Sequence, residues 1–213
     1  MIKRHIRFAA AAVLIAGLSA PAARAADPAP IALIEALGGQ LRALATVATP
    51  EQKLAQISRL FQQDFDVSGL GRFVLGRYWR MLDPPQQQEY LGLFQNYVVL
   101  AYSGRLLQIA DSGSVPRVLG SRPEEDDVIV FSEIVQPSGN WTTPASAVRP
   151  VRVDWRLSPD NGGYRISDVV IDGLSLAANG RSQLAGVIER NGGQAQSVLA
   201  VLRQQIRAAA AGR

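Results

Sequence analysis

Carboxylates are the side chains of this 213-residue chain best suited to acid–base or metal chemistry, and three groups of them stand out. Asp64 and Asp66 flank Phe65, Glu124-Glu125-Asp126-Asp127 form an acidic run, and Asp168 and Asp172 share a strand face in simple alternation. The first pair could bind a cation. The run invites a calcium site, and the last pair could do general acid–base work. Each group also has a plainer use. Asp64 and Asp66 suit a helix end and the cap of the next helix. The acidic run lacks the spacing of an EF-hand loop and suits a charged turn between strands. Asp168 and Asp172 have Arg165 and Arg181 available as salt-bridge partners.

What is missing narrows the chemistry further. There is no Cys, and the only His is His5. Residues 1–25 read as a cleaved secretory signal. Lys3, Arg4 and Arg7 precede an apolar stretch from Phe8 to Leu18, and Ala23-Arg24-Ala25 places small residues at the recognition positions. The stretch is shorter than the about 20 residues needed to span a bilayer. A chain cut after Ala25 has no imidazole and no thiol, which excludes Ser-His-Asp and Cys-His catalysis and zinc sites built on His or Cys. Lys53 is then the only lysine, and neither a P-loop nor a dinucleotide fingerprint is present. No metal, cofactor or catalytic residue is assigned. The overall charge of +4 comes from Lys3, Arg4, Arg7 and Arg24; without them 18 basic residues face 18 acidic ones. A neutral chain gives no nucleic-acid footprint.

The elements that must position these residues can be read in order. A hydrophobic content of 47% predicts a globular chain, and no interior linker or repeat divides residues 26–213. Ile31–Leu37 and Leu41–Val47 are helix-prone, with Gly38-Gly39 as a break. Thr49-Pro50-Glu51-Gln52 and Asp83-Pro84-Pro85-Gln86 are helix starts with capping residues and proline in the first turn. Between them, Gly69, Gly71 and Gly76 predict a short or bent helix carrying Phe73, Tyr78 and Trp79. Tyr90, Phe94, Tyr97, Val98 and Tyr102 recur as one broad apolar face of a long helix fraying near Asp111.

Beyond Gly113 the pattern turns to strands: Val115–Leu119, Val128–Val135, Val151–Leu157 and Tyr164–Ile171. Val128–Val135 is apolar on both faces, which calls for helices or a ligand over one side and a second cover over the other. Pro137–Pro144 reads as a loop carrying Trp141. Ser158 to Gly163 supply turn chemistry, Asp172-Gly173 closes the second strand of the hairpin, and Leu174 to Leu184 continue with helical spacing. Asn191-Gly192-Gly193 ends that helix, and Val198, Leu199, Leu202 and Ile206 mark a last one.

Three runs carry a resemblance. VDWRL (153–157), YRISDVVIDGLSL (164–176) and NGRSQL (179–184) resemble the C-terminal core of the MlaC/toluene-tolerance family of periplasmic phospholipid-binding proteins, and residues 65–102 are similar to its central helical region. The similarity spans residues 30–207, and the hopanoid-associated branch of the family fits the same blocks. From pattern alone the chain is α+β, with about four antiparallel strands between helices. The resemblance implies a curved NTF2-like or cystatin-like sheet with helices packed on it and acyl chains lying between. It also implies a periplasmic lipid carrier, not an enzyme, that holds a phospholipid (or a hopanoid) and exchanges it with an inner-membrane ABC transporter complex and an outer-membrane lipoprotein or porin complex. On face and size, Phe73, Trp79, Tyr97, Tyr102, Val130, Trp155, Val170 and Leu174 are the expected pocket residues. The alternative is an NTF2-like enzyme working through Asp64, Asp66, Asp154, Asp168 or Asp172.

Overall fold

A computed structural model describes residues 28–114, 116–134 and 150–211. The expected signal segment, the loop with Trp141, and the strand ends at Val115 and Val135 lie outside the described residues.

Five helices, α1 (Ala29–Leu44), α2 (Pro50–Asp64), α3 (Val67–Leu75), α4 (Pro84–Asp111) and α5 (Leu176–Arg190), pack with a sixth, α6 (Ser197–Ala211), and a 3-10 helix at Gly76–Met81 links α3 to α4. The sheet has strands β1 (Pro116–Glu124), β2 (Asp127–Ile134), β3 (Val151–Asp160), β4 (Gly163–Ile171) and β5 (Leu174–Ser175), in sequence order and antiparallel throughout. The expected α+β arrangement is therefore present, with a fifth, two-residue strand added.

The helix starts obey local chemistry. Thr49 accepts a hydrogen bond from the Gln52 amide, and Asp83 and Gln86 form both halves of a capping box. Gly38-Gly39 does not break α1. Gly38 is buried between Leu37 and Leu41, and burial of that stripe outweighs the roughly 1 kcal/mol a helical glycine costs. Gly76 does end α3. Its φ of +57° is open to glycine, and a Cβ there would lie 3.0 Å from the Arg181 guanidinium.

The hairpins depart from the simplest reading at three points. The β3–β4 turn is only Asn161-Gly162, both at positive φ, as a two-residue hairpin requires. Pro159 lies within β3, where β2 has already ended at Leu157, so its missing N–H leaves no gap in that ladder. Asp172-Gly173 is a second two-residue turn with both φ values positive; it pairs Leu174 with Ile171, so α5 starts only after Ser175. On the other edge, β1 carries an irregularity between Val118 and Gly120 and prolines at both ends, Pro116 and Pro123.

The inner sheet face is apolar and meets the helices: Val130, Val153, Trp155, Leu157 and Ile166 belong to one core with Leu37, Ile57, Tyr90 and Phe94. Trp155 is pinned by its indole N–H, which donates to the Ser132 hydroxyl at 2.9 Å, while Ser132 donates to the Val153 carbonyl at 2.9 Å. The second cover that β2 calls for is made of arginines. Ile129 sits between Arg122 and Arg156 across the strands, and the guanidiniums of Arg122 and Arg152 lie 5.8 and 5.4 Å from the Phe131 ring. Carboxylates hold this layer: Arg117 with Glu133, Arg152 with Asp154, and Arg156 with both Glu124 and Asp127.

Ser132→Ala orphans the buried Trp155 N–H. The expected loss is about 1–3 kcal/mol in a denaturant melt, and a loss near zero would show that the indole proton needs no partner.

Candidate functional site

The helices do not fill the inner face of the sheet. An apolar cavity of about 280 Å³ remains, bounded by β3 and β4 on one side and by α4, α5 and α6 on the other, with α1, α2 and α3 closing the far end. Val153, Trp155, Val169 and Ile171 form its floor. On α4 the wall is Val98, Tyr102, Leu106 and Ile109, a four- and three-residue repeat that keeps one helix face on the cavity. Leu184 and Val187 of α5 face it by the same rule.

The α5 wall is anchored by Asp168. Its carboxylate accepts from the Ser175 hydroxyl and from the Ala177 amide at 3.0 Å, while Ser175 caps the helix through the Ala178 amide at 3.0 Å. An irregularity in the β3–β4 ladder follows Arg156. Ile166 and Val169, three residues apart, both pair with inward residues, Leu157 and Trp155. Asp168 and Asp172 both lie beyond the extra residue and stay in step, opposite Arg156 and Arg152, yet they take different partners: Asp172 accepts from the Arg152 amide at 3.1 Å. The expected ion pairs are not formed: Arg165 bonds Asp160, and Arg181 lies over Phe73.

Burial, then the neighbouring Tyr97 hydroxyl and the Asp168 carboxylate, push the Tyr102 phenol above its ordinary pKa. Tyr102 therefore brings a neutral hydroxyl to an otherwise apolar wall, and Tyr97 adds a second phenol beside it. Arg105, Asn179, Gln183 and Gln205 line the cavity from exposed positions and form its polar lip.

The cavity gathers three of the eight expected pocket residues: Tyr97, Tyr102 and Trp155. The other five lie elsewhere, each for a local reason. Phe73 is 47% exposed, on the face of α3 that carries the Arg181 guanidinium 5.1 Å from its ring. Trp79 packs edge-on against Tyr90, with Arg72 over its other side. Val130 is fully buried in the core and leaves no surface to the cavity. Val170 pairs with Asp154 on the outer face, and Leu174 is 73% exposed at the tip of the β4–β5 turn. Leu106, Ile109 and Val187 were missed, although extending the α4 stripe beyond Tyr102 in the same steps reaches the first two.

Of the remaining candidate carboxylates, Asp64, Asp66, Glu124, Asp127 and Asp154 have structural partners, while Glu125 and Asp126 are exposed in a turn. Asp66 caps α3 through the Gly69 amide at 2.8 Å, and Asp64 accepts from the Gln40 side chain at 3.1 Å. Glu124 and Asp127 flank a turn whose Glu125 has positive φ, and both clamp Arg156. Among the described residues no group of three or more His, Cys, Asp or Glu side chains is placed to hold a metal ion.

A helix-covered antiparallel sheet enclosing an apolar cavity with a polar lip defines a small-ligand-binding architecture. The chain belongs to the MlaC protein family, whose sequence model matches residues 40–204. Its fold is similar to that of a phospholipid-binding protein from Ralstonia solanacearum, solved in complex with a phospholipid at 1.53 Å. The TM-score is 0.67 at 21% identity, over 84% of this chain and 97% of that one.

Asp168→Ala removes the acceptor for Ser175 and Ala177, with an expected loss of about 1–3 kcal/mol by chemical denaturation. An unchanged midpoint would mean that Ser175 alone sets the start of α5. Burial raises the Asp64 pKa from its ordinary 3.8, against smaller lowering effects of Gln40 and Arg165. The folded state thus favours the protonated acid, and this contribution is present below 3.8 and lost as pH rises through the raised value. Asp64→Asn is expected to be more stable than the wild type at neutral pH, with the gap closing as pH falls towards 3.8. Thermal melts across that range check the sign.

Proposed function

We propose that the protein is a periplasmic lipid carrier that holds phospholipid acyl chains in the cavity and leaves the headgroup at the lip. It passes the lipid between an inner-membrane ABC transporter complex and an outer-membrane lipoprotein or porin complex. The observation that carries this reading is the apolar cavity between sheet and helices in a chain of the MlaC family. The phospholipid complex of its structural relative supports it.

The physical chemistry suits the task. Burying an acyl chain stabilises a complex by about 0.8 kcal/mol per methylene and needs few polar contacts. Tyr97, Tyr102 and Trp155 offer large apolar bodies, and no reacting group is needed. A cavity of about 280 Å³ lies at the foot of the range, roughly 300–1,000 Å³, of drug-sized ligand sites. A diacyl lipid therefore requires the α4, α5 and α6 walls to move outward from the sheet. The basic and apolar start of the chain with its Ala23-Arg24-Ala25 site supports secretion.

The test is native mass spectrometry of the exported protein purified from a periplasm without detergent, followed by organic extraction. Stoichiometric phospholipid is the expected result, and a polycyclic lipid would assign the hopanoid role instead. A bare polypeptide mass with no uptake from added lipid overturns the carrier. Leu106→Trp combined with Leu184→Trp fills the cavity. The double variant is expected to lose bound lipid while staying within about 1–3 kcal/mol of wild-type stability.

A further inference from the structure

The polar side chains around the cavity differ in charge. The phenols and amides are neutral, and the one carboxylate, Asp168, is engaged by the Ser175 hydroxyl and the Ala177 amide. Arg105 is the only cation among the described residues that line the cavity. It is exposed, and its side chain has no hydrogen bond or ion pair among the described residues. The arginines of the outer sheet face are different: Arg117, Arg122, Arg152 and Arg156 are each tied to a carboxylate. Arg105 follows Tyr102 by three residues and precedes Leu106, so its Cα lies on the cavity side of α4. From there its stem can follow the apolar wall while the guanidinium reaches water.

A planar guanidinium with no carboxylate partner matches a phosphate group, to which it can donate two parallel hydrogen bonds. Asp168 acts in the opposite sense, since its negative charge repels a phosphate from the inner wall. Resting on the carrier reading, we propose that Arg105 contacts the phosphate of the bound lipid. The contact fixes the headgroup at the lip with the tails toward Trp155. It also makes the protein favour lipids that carry phosphate over neutral lipids with the same tails.

The exported protein, stripped of lipid, is offered equal amounts of dioleoyl phosphatidic acid and dioleoylglycerol at low salt, and the bound species are counted by native mass spectrometry. The wild type is expected to prefer the phosphate-bearing lipid by about three-fold, as an exposed charge contact allows. The preference is expected to fade in about 1 M salt, where charges are screened within about 3 Å. Arg105→Gln should take both lipids alike, and Arg105→Lys should keep the preference. Equal uptake by the wild type, or a preference unchanged in Arg105→Gln, overturns the role of Arg105 and leaves the carrier reading standing. Uptake of neither lipid by the wild type overturns the carrier reading and this proposal with it. Inorganic phosphate bound through Arg105 to the lipid-free protein as tightly as phosphatidic acid would make this a free-phosphate site, which also overturns the proposal.

Discussion

The carboxylate of Asp168 decides where α5 begins, and the cavity depends on where α5 begins. Two donors reach it from the far side of the β4–β5 turn, the Ser175 hydroxyl and the Ala177 amide. They fold the chain back from the sheet edge and launch α5 across its inner face. Without that reversal Leu184 and Val187 would have no fixed place over Trp155, and the inner face would lose a wall. A group that looks catalytic in the sequence is thus the hinge pin of the architecture. It satisfies the Ala177 amide, one of the backbone donors that a helix start leaves open, and Ser175 satisfies the Ala178 amide.

The two faces of the sheet solve one problem by different means. The inner face is covered by helices that stop short of filling it, which leaves the cavity. The outer face is covered by its own arginine side chains, whose stems and guanidiniums lie on Ile129 and Phe131 while the charges stay paired at the surface. Among the described residues this cover lets β2 be apolar on both sides with helices over one face only.

How much of this was legible depended on how local the determinant is. Asp83 with Gln86 and Asp66 before Gly69 act within a few residues, and the sequence shows them directly; it also places the turns near Asn161-Gly162 and Asp172-Gly173 but not their two-residue length. The cavity wall is set by features a period-two count cannot carry. The irregularity after Arg156 shifts the strand by one residue, which puts Val169 inside and Val170 outside. The tight Asp172-Gly173 turn makes Leu174 a strand residue at a tip and not the first residue of a cavity helix. Phe73 and Trp79 have rings large enough to wall a pocket, but tertiary packing gives each a cationic neighbour away from the cavity.

The first strand has a consequence for how the protein can be approached. An open sheet edge normally offers a row of amides and carbonyls onto which another chain can add itself. In β1 that row is interrupted at both ends, where Pro116 and Pro123 have no N–H to give, and bent between Val118 and Gly120. The opposite edge, β5, is two residues long. Between β5 and the hairpin tip, the β4 edge is met by Phe65 at Ile166, whose carbonyl accepts from the Asp66 amide. Both edges are thus short, broken or partly covered, and an edge of that kind is a poor template for the addition of another strand.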